Sequence, residues 1–220
     1  MKTADDFKIK MILGLFTIDK GKLKVLLFKK GGEPYKGYWS LPWKPFEYNE
    51  TFASNTDILL KEHVGLEEAY TETFRAFDDK ETVLTDKVVH VTTIGLTDIV
   101  TASYQRKEIE GRESDWFPID ALPKLAYNHE EILESMIAYL KRKLRESKMI
   151  SLLFPSDFTL PELQTFCEEM EEKELDRRNF RKKVLSLDIL EDTGYKSENM
   201  AGRPAKLYKF KEDTDKIELF

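Results

Sequence analysis

Two apolar runs near the start of the chain, IKMILGLFTID and KLKVLLFKK, are rich in β-branched and aromatic residues. They flank Asp19-Lys20-Gly21-Lys22, a pattern that predicts two strands joined by a tight turn. Two more strands are predicted at TFRAFDD and VVHVTTIGLTDI. Between the two pairs, Phe52, Thr56, Leu59, Leu60 and Val64 recur at three- and four-residue steps, which predicts a helix over 51–63. The order strand, strand, helix, strand, strand implies an α+β domain built on a mixed sheet.

The segment SDWFPIDALPKLAYNHEEIL reads as a proline-punctuated connection into a long helix. Asn128 is placed as its N-cap, with Glu130 and Glu131 in the first turn, and it runs to about Glu146. Its basic end, KRKLRES, complements the negative end of a helix dipole. From about Lys148 the pattern changes. Thr159 and Glu162 have capping-box spacing with Pro161 in the first turn, and Leu163, Phe166, Cys167 and Met170 share one face of the helix that follows. Asp176 can cap a second helix, RRNFRKKVLSL, in which Phe180 and Val184 face inward with Leu185 or Leu187. Two strand-like pieces, DILEDTG and AKLYKFK, are joined by a loop containing Gly202 and Pro204. Helix, turn, basic helix and hairpin predict a winged helix-turn-helix over 148–220, after a first domain over 1–147.

Composition narrows the function classes. With 41% apolar and 35% charged residues and a net charge of -6, the 220-residue chain suits a soluble protein of two modest domains. No apolar run reaches the roughly 20 residues of a membrane span, and MKTADDFKIK lacks a signal-peptide core, so a cytoplasmic protein without membrane partners is expected. The single cysteine, Cys167, permits no internal disulfide or multi-cysteine zinc site, and its apolar position points to core packing. His63, His90 and His129 are scattered in sequence and read as structural. Neither a cofactor nor a bound metal is expected. The acidic average argues against nucleic acid, but DRRNFRKK, Asp176 to Lys183, gathers a local basic patch.

The segment LPWKPFEYNETFASNTDILLKEHVGLEE, from Leu41 to Glu68, resembles the Nudix hydrolase box G-x5-E-x7-R-E-U-x-E-E-x-G-U, where U is aliphatic. Aligned without a gap, Lys44 falls on the first Gly, Glu50 on the first Glu, Ile58 on the Arg and Leu59 on the next Glu. Glu62 and His63 take the paired acids, and Gly65-Leu66 the ending. In a Nudix enzyme those acids project from one helix face and hold divalent cations against a diphosphate, which neutralise charge and activate water. Here the face is Leu59, Glu62 and His63, so the resemblance implies a frame without hydrolysis.

The wider pattern, with DWFPIDALPKLAYNHEEIL, FTLPELQTFCEEMEEKELDRRNFRKKVLSLDILEDTG and GRPAKLYKF, is similar to the Nudix-related transcriptional regulators over nearly the whole length. The resemblance implies a catalytically inactive Nudix-like domain that senses a small metabolite. It also implies a winged helix that binds a pseudo-palindromic double-stranded DNA operator as a homodimer, most simply as a repressor.

The DNA-binding candidates are Arg177, Arg178, Asn179, Arg181, Lys182 and Lys183 on the second helix, with Arg203 and Lys206 in the hairpin. Arg pairs bidentately with guanine and Asn with adenine, whereas Lys182 and Lys183 suit phosphates. For the effector, the box has lost the Gly turn and Arg that favour a diphosphate, while Glu33, Trp39, Trp43, Lys44, Glu47 and Glu62 suit the hydroxyls and C–H face of a sugar such as a pentose. Packing is the competing role for both tryptophans. ADP-ribose is the alternative effector. Two further readings stay open: a Nudix hydrolase using Glu50, Glu62 and a distant acid such as Glu67, and a protein-interaction module whose basic helix meets an acidic partner.

Overall fold

The computed structural model describes residues 7–78, 87–146, 148–154, 157–197 and 204–212. Strands β1 (Phe7–Asp19) and β2 (Lys22–Lys29) form the expected antiparallel hairpin, with Phe16 opposite Val25 and Asp19 opposite Lys22. Strand β1 is buried without interruption from Met11 to Ile18, which explains why it reads as an apolar run rather than an alternation. Strands β3 (Trp39–Ser40) and β4 (Trp43–Pro45) lie before helix α1 (Phe52–Ile58), and β5 (Tyr70–Asp78) and β6 (Lys87–Leu96) follow it. With β7 (Ser114–Pro118) paired to β2 and β4 paired to β1, the sheet runs β3-β2-β1-β6-β5. The β1–β6 pair is parallel and its neighbours are antiparallel, so the sheet is mixed, as the sequence predicts.

Alternation along β1 sends its side chains to opposite faces of this sheet. Met11, Leu13 and Leu15 pack with Leu59, Leu60 and Val64 on one side. Ile12, Phe16 and Ile18 pack on the other with Ile132, Met136 and Leu140 of helix α3 (His129–Glu146). The helix predicted over 51–63 is present but changes form. After α1, capped by Thr51 Oγ1 accepting from Ser54 N–H, residues Leu59–Val64 widen into a π-helical turn, and both Leu59 and Leu60 are buried. It ends at Gly65, where φ is +90° and a Cβ would lie 2.0 Å from the Lys107 carbonyl oxygen, so only glycine fits.

Two local readings are corrected. The strand predicted through VVHVTTIGLTDI stops at Leu96, because the Asp98 carboxylate accepts from Val100 and Thr101 N–H and starts the short helix α2 (Ile99–Tyr104). Asn128 precedes α3, but its side chain does not cap it: Nδ2 donates to the Asp78 carbonyl at 3.1 Å and ties the helix start to the end of β5.

After a 3-10 turn (Lys148–Leu152) come β8 (Phe158–Thr159), α4 (Leu160–Glu171), α5 (Arg177–Ser186), β9 (Leu190–Lys196) and β10 (Lys206–Phe210), with sheet order β8-β10-β9. The capping box forms: Glu162 N–H donates to Thr159 Oγ1 at 3.3 Å, and Thr159 N–H to Glu162 Oε2 at 2.7 Å. Leu163, Phe166, Cys167 and Met170 are fully buried, and burial pushes the Cys167 thiol up to about 12. Phe180 and Val184 are buried as expected, whereas Leu185 and Leu187 are exposed and Ile189 takes the inward position.

The predicted 147/148 boundary falls between α3 and the 3-10 turn, and apolar packing runs across it. Phe16 and Leu23 of the hairpin belong to the same core as Leu163, Phe166 and Met170 of α4. Leu23 N–H donates to Glu169 Oε2 at 2.7 Å, and Lys22 Nζ lies 3.6 Å from Glu169 Oε1, so the β1–β2 turn is docked on α4.

Candidate nucleic-acid interface and effector cleft

The residues aligned with the Nudix box do not converge as metal ligands. Leu59, at a carboxylate position, is fully buried in the apolar core; Glu62 is exposed; and Glu50 accepts from Ser54 Oγ at 2.6 Å beside the N-cap. Among the described residues no group of three His, Cys, Asp or Glu is placed to hold a metal ion. The donor set therefore does not fit the divalent cations that a Nudix enzyme uses.

Lys44, on the box's first Gly, is buried. Its Nζ lies 2.8 Å from both Asn55 Oδ1 and Glu47 Oε1, and the Asn55 amide also donates to the Glu47 and Thr51 carbonyls. A buried ammonium with these partners fixes the loop ahead of α1.

A cleft of about 340 Å³ opens beside the box. Of the six effector candidates, Trp43 lines it. Trp39 instead stacks edge-on against Phe117 at 4.6 Å, and Glu33 is exposed on the loop between β2 and β3. The cleft's charged groups are Lys29 and Lys30 at the end of β2, and Arg112 just before β7, none of which the sequence singled out. Arg112 Nη1 is 3.2 Å from His63 Nδ1. Burial, and then Arg112 itself, hold the His63 imidazole below its usual range, which suits a neutral ring accepting from the guanidinium.

Behind the cleft, burial, reinforced by His90, pushes His129 down to about 3, and its Nδ1 accepts from Leu41 N–H at 3.0 Å. The folded-state value lies below the unfolded one, so the stabilisation is complete above pH 6.5 and is lost as pH falls towards 3. Stability measured by urea unfolding is expected to drop by about 2 kcal/mol from pH 7 to pH 5, with His129→Gln flattening that dependence.

At the other end of the molecule, Asp176 caps α5 by accepting from Asn179 N–H at 2.8 Å. Phe180 and Val184 anchor one side, leaving Arg177, Arg178, Asn179, Arg181, Lys182 and Lys183 exposed. At 100° per residue, Arg178 and Lys182 stand opposite the buried pair, and Arg177 and Arg181 flank it. The flanking arginines face the wing across a cleft of about 490 Å³ shared with Lys196 and Lys206. Lys206 Nζ pairs with Asp192 Oδ2 at 2.5 Å, which holds that carboxyl below its usual range and the ammonium above its own. Lys196 is the cation that sequence reading missed; its signal was its place at the end of a wing strand. Arg203 lies outside the described residues.

Residues 150–210 match the NrtR DNA-binding winged helix domain family. Over 92% of this chain and 93% of the other, the fold resembles Shewanella oneidensis NrtR in complex with a 27mer DNA, with a TM-score of 0.73 and 27% identity. This is the build of the Nudix-related transcriptional regulators. The ADPR responsive transcriptional repressor NtrR of Acinetobacter baylyi is 27% identical over 202 residues, covering 90% of this chain and 80% of that protein. The NUDIX domain of S. oneidensis NrtR complexed with ADP ribose has a TM-score of 0.52 at 21% identity, over 64% of this chain and 90% of that one, a likeness of fold. Among the described residues, no helix of this chain is long and apolar enough to cross a membrane.

Proposed function

We propose that this chain is a DNA-binding transcriptional repressor that responds to ADP-ribose, acts in the cytoplasm and reads a pseudo-palindromic operator as a homodimer. Residues 1–147 serve as sensor and 148–220 as reader. The observation that carries this reading is the exposed cationic side of α5, held outward by buried Phe180 and Val184 in a winged helix of the NrtR type. Arg178 and Asn179 address base edges; Arg177, Arg181, Lys182, Lys183, Lys206 and Arg203 address the phosphate backbone.

ADP-ribose replaces the neutral sugar as the favoured effector for two reasons. The A. baylyi relative is an ADPR responsive repressor. Of the carboxylates and tryptophans that suggested a sugar, only Trp43 lines the cleft. The sensor half is assigned no hydrolase activity, because the positions that would carry metal-binding acids hold Leu59 and His63. Ligand acts by binding more tightly to one dimer arrangement than to the other.

Footprinting on the chain's own promoter region tests this. A protected site that is lost with ADP-ribose, and retained with ribose at the same concentration, is expected. No preference for any promoter fragment, together with Mg²⁺-dependent release of AMP from ADP-ribose, would replace the repressor with an enzyme.

A further inference from the structure

We propose that the cleft beside the degenerate box holds a diphosphate directly on protein cations, principally Arg112 and Lys30, with no divalent metal as intermediary. The inference deepens the ADP-ribose reading and rests on it. In a metal-dependent site, carboxylates recruit the cation and the cation meets the phosphate. Here that order of charges is inverted. Among the described residues, no Asp or Glu lines the cleft, while Lys29, Lys30 and Arg112 do, with His63 of the box itself meeting the guanidinium.

The three cations are not equivalent. Lys29 Nζ sits 3.0 Å from Glu113 Oε1 and spends most of its charge there. Lys30 donates to Tyr127 Oη at 2.6 Å and stands 4.8 Å from the centroid of the same ring, partners that leave the ammonium charge uncompensated. Arg112 is exposed, and its guanidinium meets the His63 imidazole, which fixes it without neutralising it. Arg112 thus stands at His63, next to the box whose own arginine position holds Ile58. Two uncompensated cations on opposite segments match the two negative charges of a nucleoside diphosphate sugar, and a guanidinium suits a phosphate bidentately. Trp43 supplies a flat apolar wall in the same cleft for a ring of the ligand.

Calorimetric titration of ADP-ribose into the full-length chain decides this. Wild-type affinity is expected to be the same within about twofold in EDTA and in Mg²⁺, while Arg112→Ala and Lys30→Ala each weaken it by about tenfold or more. Because Arg112 is exposed, its variant should keep the wild-type melting temperature, so a loss of binding there reports contact rather than unfolding. Affinity that requires Mg²⁺, or that neither substitution changes, overturns direct cationic recognition while leaving ADP-ribose as the effector. Failure of the wild-type chain to bind ADP-ribose under both conditions overturns the effector reading and this inference with it.

Discussion

Arg177→Ala/Arg181→Ala protein should bind duplex DNA about 100-fold more weakly than wild type near 0.15 M salt, and the slope of log affinity against log salt should fall by about 2. The two guanidiniums lie one turn apart on α5 and face the cleft toward the wing. That position suits a phosphate backbone running between helix and hairpin. Each phosphate contact releases about one condensed counterion, so losing two has a signature that loss of folding does not share. Arg178→Ala should behave differently, relaxing sequence preference with a slope change of at most about 1, because its side chain stands opposite the buried anchor and addresses base edges. Fluorescence anisotropy on a duplex selected from random sequence by the wild-type chain, repeated over a salt series, separates the two outcomes. An Arg177→Ala/Arg181→Ala slope equal to wild type would remove this side of α5 from the interface.

The winged-helix part was legible in the sequence because its signals are local. The Thr159–Glu162 box, the four apolar residues of α4 and the Asp176 cap each act within a few residues, and each forms. What failed there depended on helix phase near an end: Leu185, still inside α5, is rotated about 100° from buried Val184, Leu187 is the C-cap, and Ile189 reaches inward in their place. The effector cleft was illegible for the opposite reason. Lys29-Lys30 and Arg112 are about 80 positions apart and look, in a chain that is 35% charged, like solvated surface. Only the pairing of β2 with β7, which sets Phe28 opposite Ser114, brings them to one opening. Lys44 and Glu47 misled for a related reason. They sit at the box where polar residues usually mean chemistry, but Asn55, buried on α1, draws Lys44 inward.

Strand β2 has one end on each working surface. Its far end supplies Lys29 to the effector cleft, and its near end supplies Lys22 and Leu23 to the joint with α4. Eight residues of extended chain span about 25 Å, and β2 is buried over most of that length, so a shift at one end has little slack to absorb it. The joint itself depends on Gly21, where φ is +79° and an added Cβ would lie 2.5 Å from the Glu162 carbonyl oxygen and 2.8 Å from Thr165 Cβ. Neither the backbone of α4 nor a β-carbon can swing aside as a long side chain can. Gly21→Val is therefore expected to cost about 4 kcal/mol in urea unfolding, the sum of backbone strain at positive φ and overpacking against α4. Below its unfolding midpoint the variant should still bind ADP-ribose, because the cleft is at the other end of β2, but ligand should shift its DNA affinity by less than half the wild-type factor. A variant of wild-type stability would show that the turn moves off α4 without penalty. A full ligand response with lowered stability would mean that the signal reaches α5 by a route other than this hairpin.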